Sequence, residues 1–387
     1  MRIALIHSYY SSRQPSGENV VVDAQAAALR GAGFDVRVIA AHTDELESKR
    51  GYKLSTAVNV ATGRGPSPLR ELTDYAPDLV HVHNLFPNWG TAWLDRWRGP
   101  MVATVHNFRP VCAAGTLFRD GAECTLCPDT NTSAAVHHSC YRASKIATIP
   151  LAIRSRNGVS GDPLLSRAEA VILLTQRARG LYEGFGLSPE KITVIPNFVE
   201  DAGFTGPSVS GSDWVYIGRL SEEKGIANLI KHWPNAHSLC IYGDGPLRDH
   251  VERAVQGRAN VTYRGRLEHE AVSAVLAGAR GLVFPSEWAE GGIPLSYVEA
   301  LSAGRMVVAM AGSSGADDLT ASGAGTVFDN WGGLASALEA ACAQSALFEK
   351  RARNHFESNF RRDTFLTRTI SLYQQLVAPN TTGANVA

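Results

Sequence analysis

GLVFPSEWAEGGIPLSYVEALSAG, residues 281–304, is the stretch from which the rest of this chain can be read. Gly281–Phe284 is a short apolar run stopped by Pro285, which predicts a buried strand. A loop with Glu287, Glu290 and the pair Gly291-Gly292 follows. Pro294 suits the first position of a helix that runs to about Ala303 and stops at Gly304. A glycine pair lets backbone come close to a ligand, and the free N–H groups of a helix start attract anions. Gly292, Ile293, Pro294 and Leu295 therefore read as a phosphate seat. Glu299 lies roughly 40° round the helix from Leu295, at the edge of the apolar stripe of Leu295 and Val298. A carboxylate half inside a core needs donors, and ribose hydroxyls would supply them. A surface glutamate paired with a lysine is the plainer alternative at this point.

Upstream, apolar runs alternate with helical stretches. Strands are expected at Arg2–Ile6, Asp35–Ala40, Leu79–Val82, Met101–Val105, Ala170–Leu174 and Ile192–Ile195, with helices over 18–30 and 176–185. Pro196-Asn197 and GFTGPSVSGSD mark a linker. The pattern restarts with a strand at 214–217, helix 224–232, strand 238–242 and helix 246–255, then strands at 261–264, 281–284, 306–308 and 325–327. Such alternation predicts α/β architecture: parallel, doubly wound sheets in two domains. Helical segments fill 331–378, and the closing PNTTGANVA is expected to be disordered.

A chain of 387 residues can hold two ordinary domains. It carries 37 basic and 37 acidic residues, so no nucleic-acid partner is implied. Residues 1–198 hold 21 basic and 17 acidic side chains, leaving 16 and 20 for the remainder. No apolar run approaches the roughly 20 residues of a membrane-spanning helix, and MRIALIHS is no signal peptide. A soluble, cytoplasmic chain is expected.

In parallel sheets ligands sit beyond the carboxyl ends of the strands. The first strand is followed by HSYYSSRQPSGENV, where Gly17 precedes a helix and a G-x-G-x-x-G fingerprint is missing, which argues against a dinucleotide cofactor. Thr104-Val105-His106-Asn107 sets a histidine at a strand end, a candidate acid/base or hydrogen-bonding group. His81 and His83 share one face of the neighbouring strand and are candidates to line the same cleft. In GRLSEEKG, Arg219 and Lys224 suit a diphosphate. Gly243-Asp244-Gly245-Pro246 repeats the strand–Gly–helix turn and has a structural reading too. Arg266 and Leu267 follow the next strand and are placed to flank a base. No D-x-D pair follows an apolar strand, so a carboxylate-bound catalytic metal is not indicated.

Residues 107–140 carry four cysteines, Cys112, Cys124, Cys127 and Cys140, spaced C-x11-C-x2-C-x12-C. In a cytoplasmic chain this spacing favours a structural zinc over disulfides, the alternative being reduced thiols in a packed insertion. The segment 141–157 sets Arg142, Lys145, Arg154 and Arg156 among isoleucines and a leucine, a basic amphipathic pattern that suits peripheral membrane contact, although Pro150 interrupts it.

Taken in order, MRIALIHSYY, PSGEN, TVHN, VIPNF, YIGRLSEEKG, IYGDGPL and EWAEGGIPLSYVEALSAG resemble glycosyltransferase family 4, retaining nucleotide-sugar enzymes of GT-B fold. The resemblance covers nearly the whole chain. It implies an acceptor-side domain over 1–198 with its insertion at 107–140, and a nucleotide-sugar domain over 199–360. A C-terminal helix at 361–378 would return to the first domain, with a tail at 379–387. It also implies a cleft between the two domains. Within it Gly17 would approach the diphosphate, Arg219 and Lys224 would hold it, and backbone of 293–295 would meet the phosphates. Glu299 would accept ribose hydroxyls, Glu290 the hydroxyls of the donor sugar, and His106 would stand by the transferred sugar. The chain departs from the family in one spacing: Glu290 and Glu299 enclose eight residues, GGIPLSYV, where the family has seven. The implied activity is metal-independent, retaining transfer of a sugar from a nucleotide diphosphate-sugar to a saccharide or lipid-linked hydroxyl acceptor, in polysaccharide or glycoconjugate assembly. It would take place in the cytoplasm, at the inner face of the membrane. A silent nucleotide-sugar-binding partner protein and a nucleotide-sugar epimerase fit the same architecture.

Overall fold

The computed structural model describes residues 1–12, 17–203 and 213–378. Residues 204–212 of the expected linker, the tail over 379–387 and Arg13–Ser16 lie outside the described residues. The chain divides into two compact units. One comprises Met1–Gly115, Thr125–Ile195 and the segment from Phe365; the other comprises Thr116–Cys124 and Pro196–Thr364.

The first unit is built on β1 (Arg2–Tyr9), β2 (Asp35–His42), β3 (Leu79–Asn84) and β4 (Met101–Val105). The insertion's hairpin, β5 (Phe118–Arg119) and β6 (Ala122–Glu123), falls in the second unit, and β7 (Ala170–Leu173) and β8 (Ile192–Val194) complete the sheet of the first. The six main strands are parallel in the order β2-β1-β3-β4-β7-β8. Near-continuous burial along β1, β3, β4 and β7 is what a parallel sheet covered on both faces requires. The strand order reverses between β1 and β3, and ligands of such sheets bind at that reversal.

The second unit repeats the plan with β9 (Trp214–Ile217), β10 (Leu239–Tyr242), β11 (Val261–Tyr263), β12 (Gly281–Phe284), β13 (Met306–Met310) and β14 (Gly325–Phe328). All are parallel in the order β11-β10-β9-β12-β13-β14, which reverses between β9 and β12. Side chains alternate between two cores, as a period of two demands. Val215, Leu282, Phe284, Val307 and Ala309 enter one core. Trp214, Tyr216, Val283, Met306 and Val308 enter the other.

Two local expectations change. The helix after the quoted loop is Leu295–Ser302, with Pro294 as its N-cap at φ −59 and ψ 145 rather than its first residue. A helix spans Lys145–Ser155 with Pro150 inside it, so the proline does not break it. Proline removes one amide but leaves the rest of the ladder, and packing against neighbouring helices holds this one. The cysteine insertion holds the β5–β6 hairpin and short helices at Leu126–Asp129 and Ser133–His137.

The loops after β9 and β10 are locked by close backbone approach. A Cβ on Gly243 would stand 1.9 Å from the Gly218 carbonyl oxygen, and one on Gly245 2.5 Å from that of Leu220. The GDG turn is therefore structural: it supports the loop that carries Arg219. Gly243→Ala is expected to lower the stability of the second unit by about 2 kcal/mol or more. Gly278→Ala, where a Cβ meets nothing within 4 Å, serves as the control. Urea unfolding checks both.

Candidate active site

In the second unit, the reversal between β9 and β12 gathers the residues of the quoted loop. Tyr216 donates its hydroxyl to the Arg219 carbonyl at 2.7 Å, which pins the backbone while the guanidinium stays exposed. A turn over Glu222–Lys224 ends at Gly225, whose φ of +68 and approach to the Pro285 carbonyl (2.1 Å for an added Cβ) demand glycine. That approach sets Lys224 beside the loop after β12. Its Nζ donates to Glu290 Oε1 at 2.7 Å and lies 5.3 Å from the Trp288 ring centroid. Ser286 donates to the same Oε1 at 2.7 Å, and Ser314 Oγ donates to the Glu290 carbonyl at 2.9 Å.

Glu290 is 2% exposed, and its other oxygen, Oε2, is buried with no partner among the described residues. Burial raises its pKa, opposed by the Lys224 charge and by the hydrogen bonds from Lys224 and Ser286. A buried carboxylate oxygen left bare is costly unless something donates to it. Lys224 is held by Glu290, which leaves Arg219 as the exposed cation of this loop. Glu287 is a strut, accepting from Asn228 Nδ2 at 2.8 Å and Trp331 Nε1 at 3.0 Å.

Gly292 is half-buried, and Ile293 is buried in the core, so only its backbone is available to a ligand. Beyond Pro294, the amides of Leu295 and Ser296 open the helix with no carbonyl a turn earlier to bond. Ser296 Oγ donates to the Ile217 carbonyl at 2.9 Å and ties this helix start to the end of β9. Glu299 is 8% exposed and 3.5 Å from His269 Nδ1. Burial raises its pKa, and the histidine acts the other way. It is thus a buried carboxylate with a histidine neighbour, not a surface glutamate paired with a lysine. Arg266 is exposed beside Glu268 at 3.4 Å, and Leu267 packs on the core. Sequence reasoning missed Ser286, Ser314 and His269. His269 and Ser314 arrive from other elements, while Ser286 lies four residues before Glu290 in the quoted loop and only the folded loop turns it onto that carboxylate.

In the first unit, the strand ends at the reversal bring together His7, His83 and His106. His106 Nε2 is 3.1 Å from His83 Nδ1, their rings stacked at 5.4 Å. Both line a cavity of about 100 Å³ that also reaches Asn107, Arg109 and Leu151. His81 departs from expectation: it is 1% exposed and faces the interior. Tyr373, on the C-terminal helix Arg362–Val377, lies 2.5 Å from His81 Nδ1, and Thr104 Oγ1 lies 2.7 Å from Nε2. Gln25 Nε2 donates to the Tyr373 hydroxyl at 3.0 Å and completes that network. Gly17 opens the helix Gly17–Gly31 facing open space. Glu18 behind it accepts from Asn107 Nδ2 at 2.9 Å and from Asn84 Nδ2 at 3.4 Å, which joins the helix start to the ends of β3 and β4.

Among the described residues no group of three or more His, Cys, Asp or Glu is arranged to hold a metal ion. Cys127 and Cys140 instead pack with Ala113, Ala135 and Leu151.

Two pH effects follow. Burial lowers His81 to about 3 and His7 and His106 to about 4, from 6.5. Below pH 6.5 the unfolded chain takes up protons that the folded chain refuses, so stability falls with pH until about 4. Urea unfolding at pH 7 and 5 should show a loss of roughly 1 kcal/mol or more per pH unit. The raised pKa of Glu299 has the opposite sign: its contribution to stability is present when it is protonated and lost as pH rises. Glu299→Gln should therefore stabilise the fold more at pH 7 than at acid pH, which urea unfolding at the two pH values checks.

Comparison with known proteins matches residues 15–202 to the model described as "Glycosyltransferase Family 4" and residues 211–344 to "Glycosyl transferases group 1". A curated relative, glycogen synthase of Mycobacterium tuberculosis, is 26% identical, the match covering 87% of this chain and 80% of that protein. Sucrose-phosphate synthase from Thermosynechococcus elongatus superposes with a TM-score of 0.70 at 18% identity, covering 97% and 99% of the two chains. Anabaena HepE, solved in complex with UDP, does so at 0.60 and 14%, covering 97% and 100%. With one glycosyltransferase model on each half and neighbours of that architecture over its length, the chain is a glycosyltransferase of GT-B fold.

Proposed function

We propose that this protein is a retaining, family 4 enzyme that moves a sugar from a nucleoside diphosphate donor to a hydroxyl of a saccharide or lipid-linked acceptor. The observation that carries the reading is the buried, partnerless Oε2 of Glu290 beside Lys224 at the sheet reversal. A sugar hydroxyl is the donor that oxygen lacks. Lys224 opposes the effect of burial on Glu290 and adds positive charge near the leaving phosphates. Arg219 grips phosphate oxygens in its fork, and the N–H groups of Ile293 and Leu295 meet the same group. Glu299 accepts from the ribose. HepE is solved with UDP-glucose, and a pneumococcal O-GlcNAc transferase with UDP and GlcNAc; both support a nucleotide-sugar donor.

No serine, cysteine or carboxylate stands activated as a nucleophile in the arrangement described above. In the proposed step the acceptor oxygen bonds to the anomeric carbon on the face the diphosphate leaves. The carbon–oxygen bond to the β-phosphate breaks, and the acceptor's proton passes to a phosphate oxygen of the leaving group. His106, neutral at pH 7 because burial lowers it to about 4, serves as a hydrogen-bonding group and not as a charge. The protein's part is positioning and electrostatic stabilisation without a catalytic metal.

Glu290→Ala is expected to lose most transfer while nucleotide binding stays nearly intact. Arg219→Ala should weaken UDP binding by about 2 kcal/mol, roughly thirtyfold. Titration calorimetry with UDP and donor hydrolysis without acceptor measure the two effects. Full turnover in the Glu290 variant would reject its role, and donor binding with no hydrolysis in the native chain would reject the transferase reading.

A further inference from the structure

Two helices of the first unit, Tyr52–Thr62 and Lys145–Ser155, pack against each other. Among the described residues the exposed large apolar side chains concentrate on this pair: Leu54 and Val58 on one helix, Ile146, Ile149 and Ile153 on the other. Ile146 is 82% exposed and Leu54 72%. The spacings i, i+4 and i, i+3, i+7 put each set on one face of its helix. The opposite faces are already used, because Asn59 and Val60 of one helix and Leu151 and Arg154 of the other line the cavity at His106.

The charge on these segments is one-sided. Residues 48–70 hold Lys49, Arg50, Lys53, Arg64 and Arg70 without a single Asp or Glu; residues 130–161 hold Arg142, Lys145, Arg154 and Arg156, again with none. The chain as a whole balances 37 against 37, so this concentration is local. Arg154 turns inward to Asp162 at 3.0 Å and Thr91 at 3.0 Å. Lys49, Arg50, Lys53, Arg142, Lys145 and Arg156 are exposed.

We propose that the outer face of this helix pair seats the protein on an anionic lipid surface. The isoleucines, Leu54 and Val58 enter the headgroup boundary, and the surrounding lysines and arginines meet lipid phosphates. No helix among the described residues is long and apolar enough to cross a membrane, so this is a surface seat. Flexible lysines around bare aliphatic side chains suit a fluid anionic surface better than a protein partner, whose interface cores are depleted of lysine. The cavity at His106 shares its walls with the seat, which fits an acceptor carried on a lipid; that last step rests on the proposed transfer reading.

The test is sedimentation of the full chain with phosphatidylglycerol vesicles and, separately, phosphatidylcholine vesicles, at low and high salt. Binding is expected to phosphatidylglycerol alone, reversed by salt as screening requires. The combined variant Lys53→Glu, Lys145→Glu, Arg156→Glu should bind roughly tenfold or more weakly. Ile146→Ser with Ile149→Ser should weaken binding while keeping its salt dependence. Circular dichroism confirms that both variants fold. The proposal is overturned if the native chain stays in the supernatant at low salt, or if charge reversal changes nothing. A vesicle-free dimer that the isoleucine variant dissolves would also overturn it, since a second copy would then cover the face. Donor hydrolysis in vesicle-free solution should be equal in all these proteins. Its absence from the native chain would count against the transfer reading and leave the lipid seat standing.

Discussion

The ion pair between Lys224 and Glu290 is the interaction on which the second unit's site depends. Two charges taken out of water are stable only when each is matched and hydrogen-bonded. Lys224 and Ser286 satisfy one oxygen of Glu290, and the other stays bare. The arrangement is half of a hydrogen-bond network, held ready by Gly225 against Pro285 and by Ser314 on the Glu290 carbonyl. Preorganisation of this kind removes a reorganisation cost from the moment of ligand binding.

Around that pair, the sheet topology does the positioning. Each unit reverses its strand order once, and each reversal collects polar residues: Arg219, Lys224 and Glu290 in one, His83, His106 and Glu18 in the other. The histidines at the first reversal are held neutral by burial. Their stacking and hydrogen bonds fill an interior that a charged imidazolium could not occupy cheaply.

Much of this was legible in the sequence. Strand and helix alternation yields two doubly wound units because apolar runs of four to six residues between helices can only be buried in parallel sheets. The residue types after each strand pointed to a phosphate-binding chemistry at GRLSEEKG and EGGIPL. The failures have physical causes. Pro150 read as a break, yet helix packing carries the chain through it. His81 and His83 share a strand face, but Tyr373, almost three hundred residues away, claims His81 for the core.

Sequence by itself determined the architecture and the class of chemistry, because periodicity, glycine placement and charge type are local properties. Tertiary structure alone decided the partnerships: Lys224 with Glu290, His269 with Glu299, His83 with His106, and two basic helices side by side with their apolar faces outward. Each joins elements distant in the chain, and burial acts only on what the finished fold encloses.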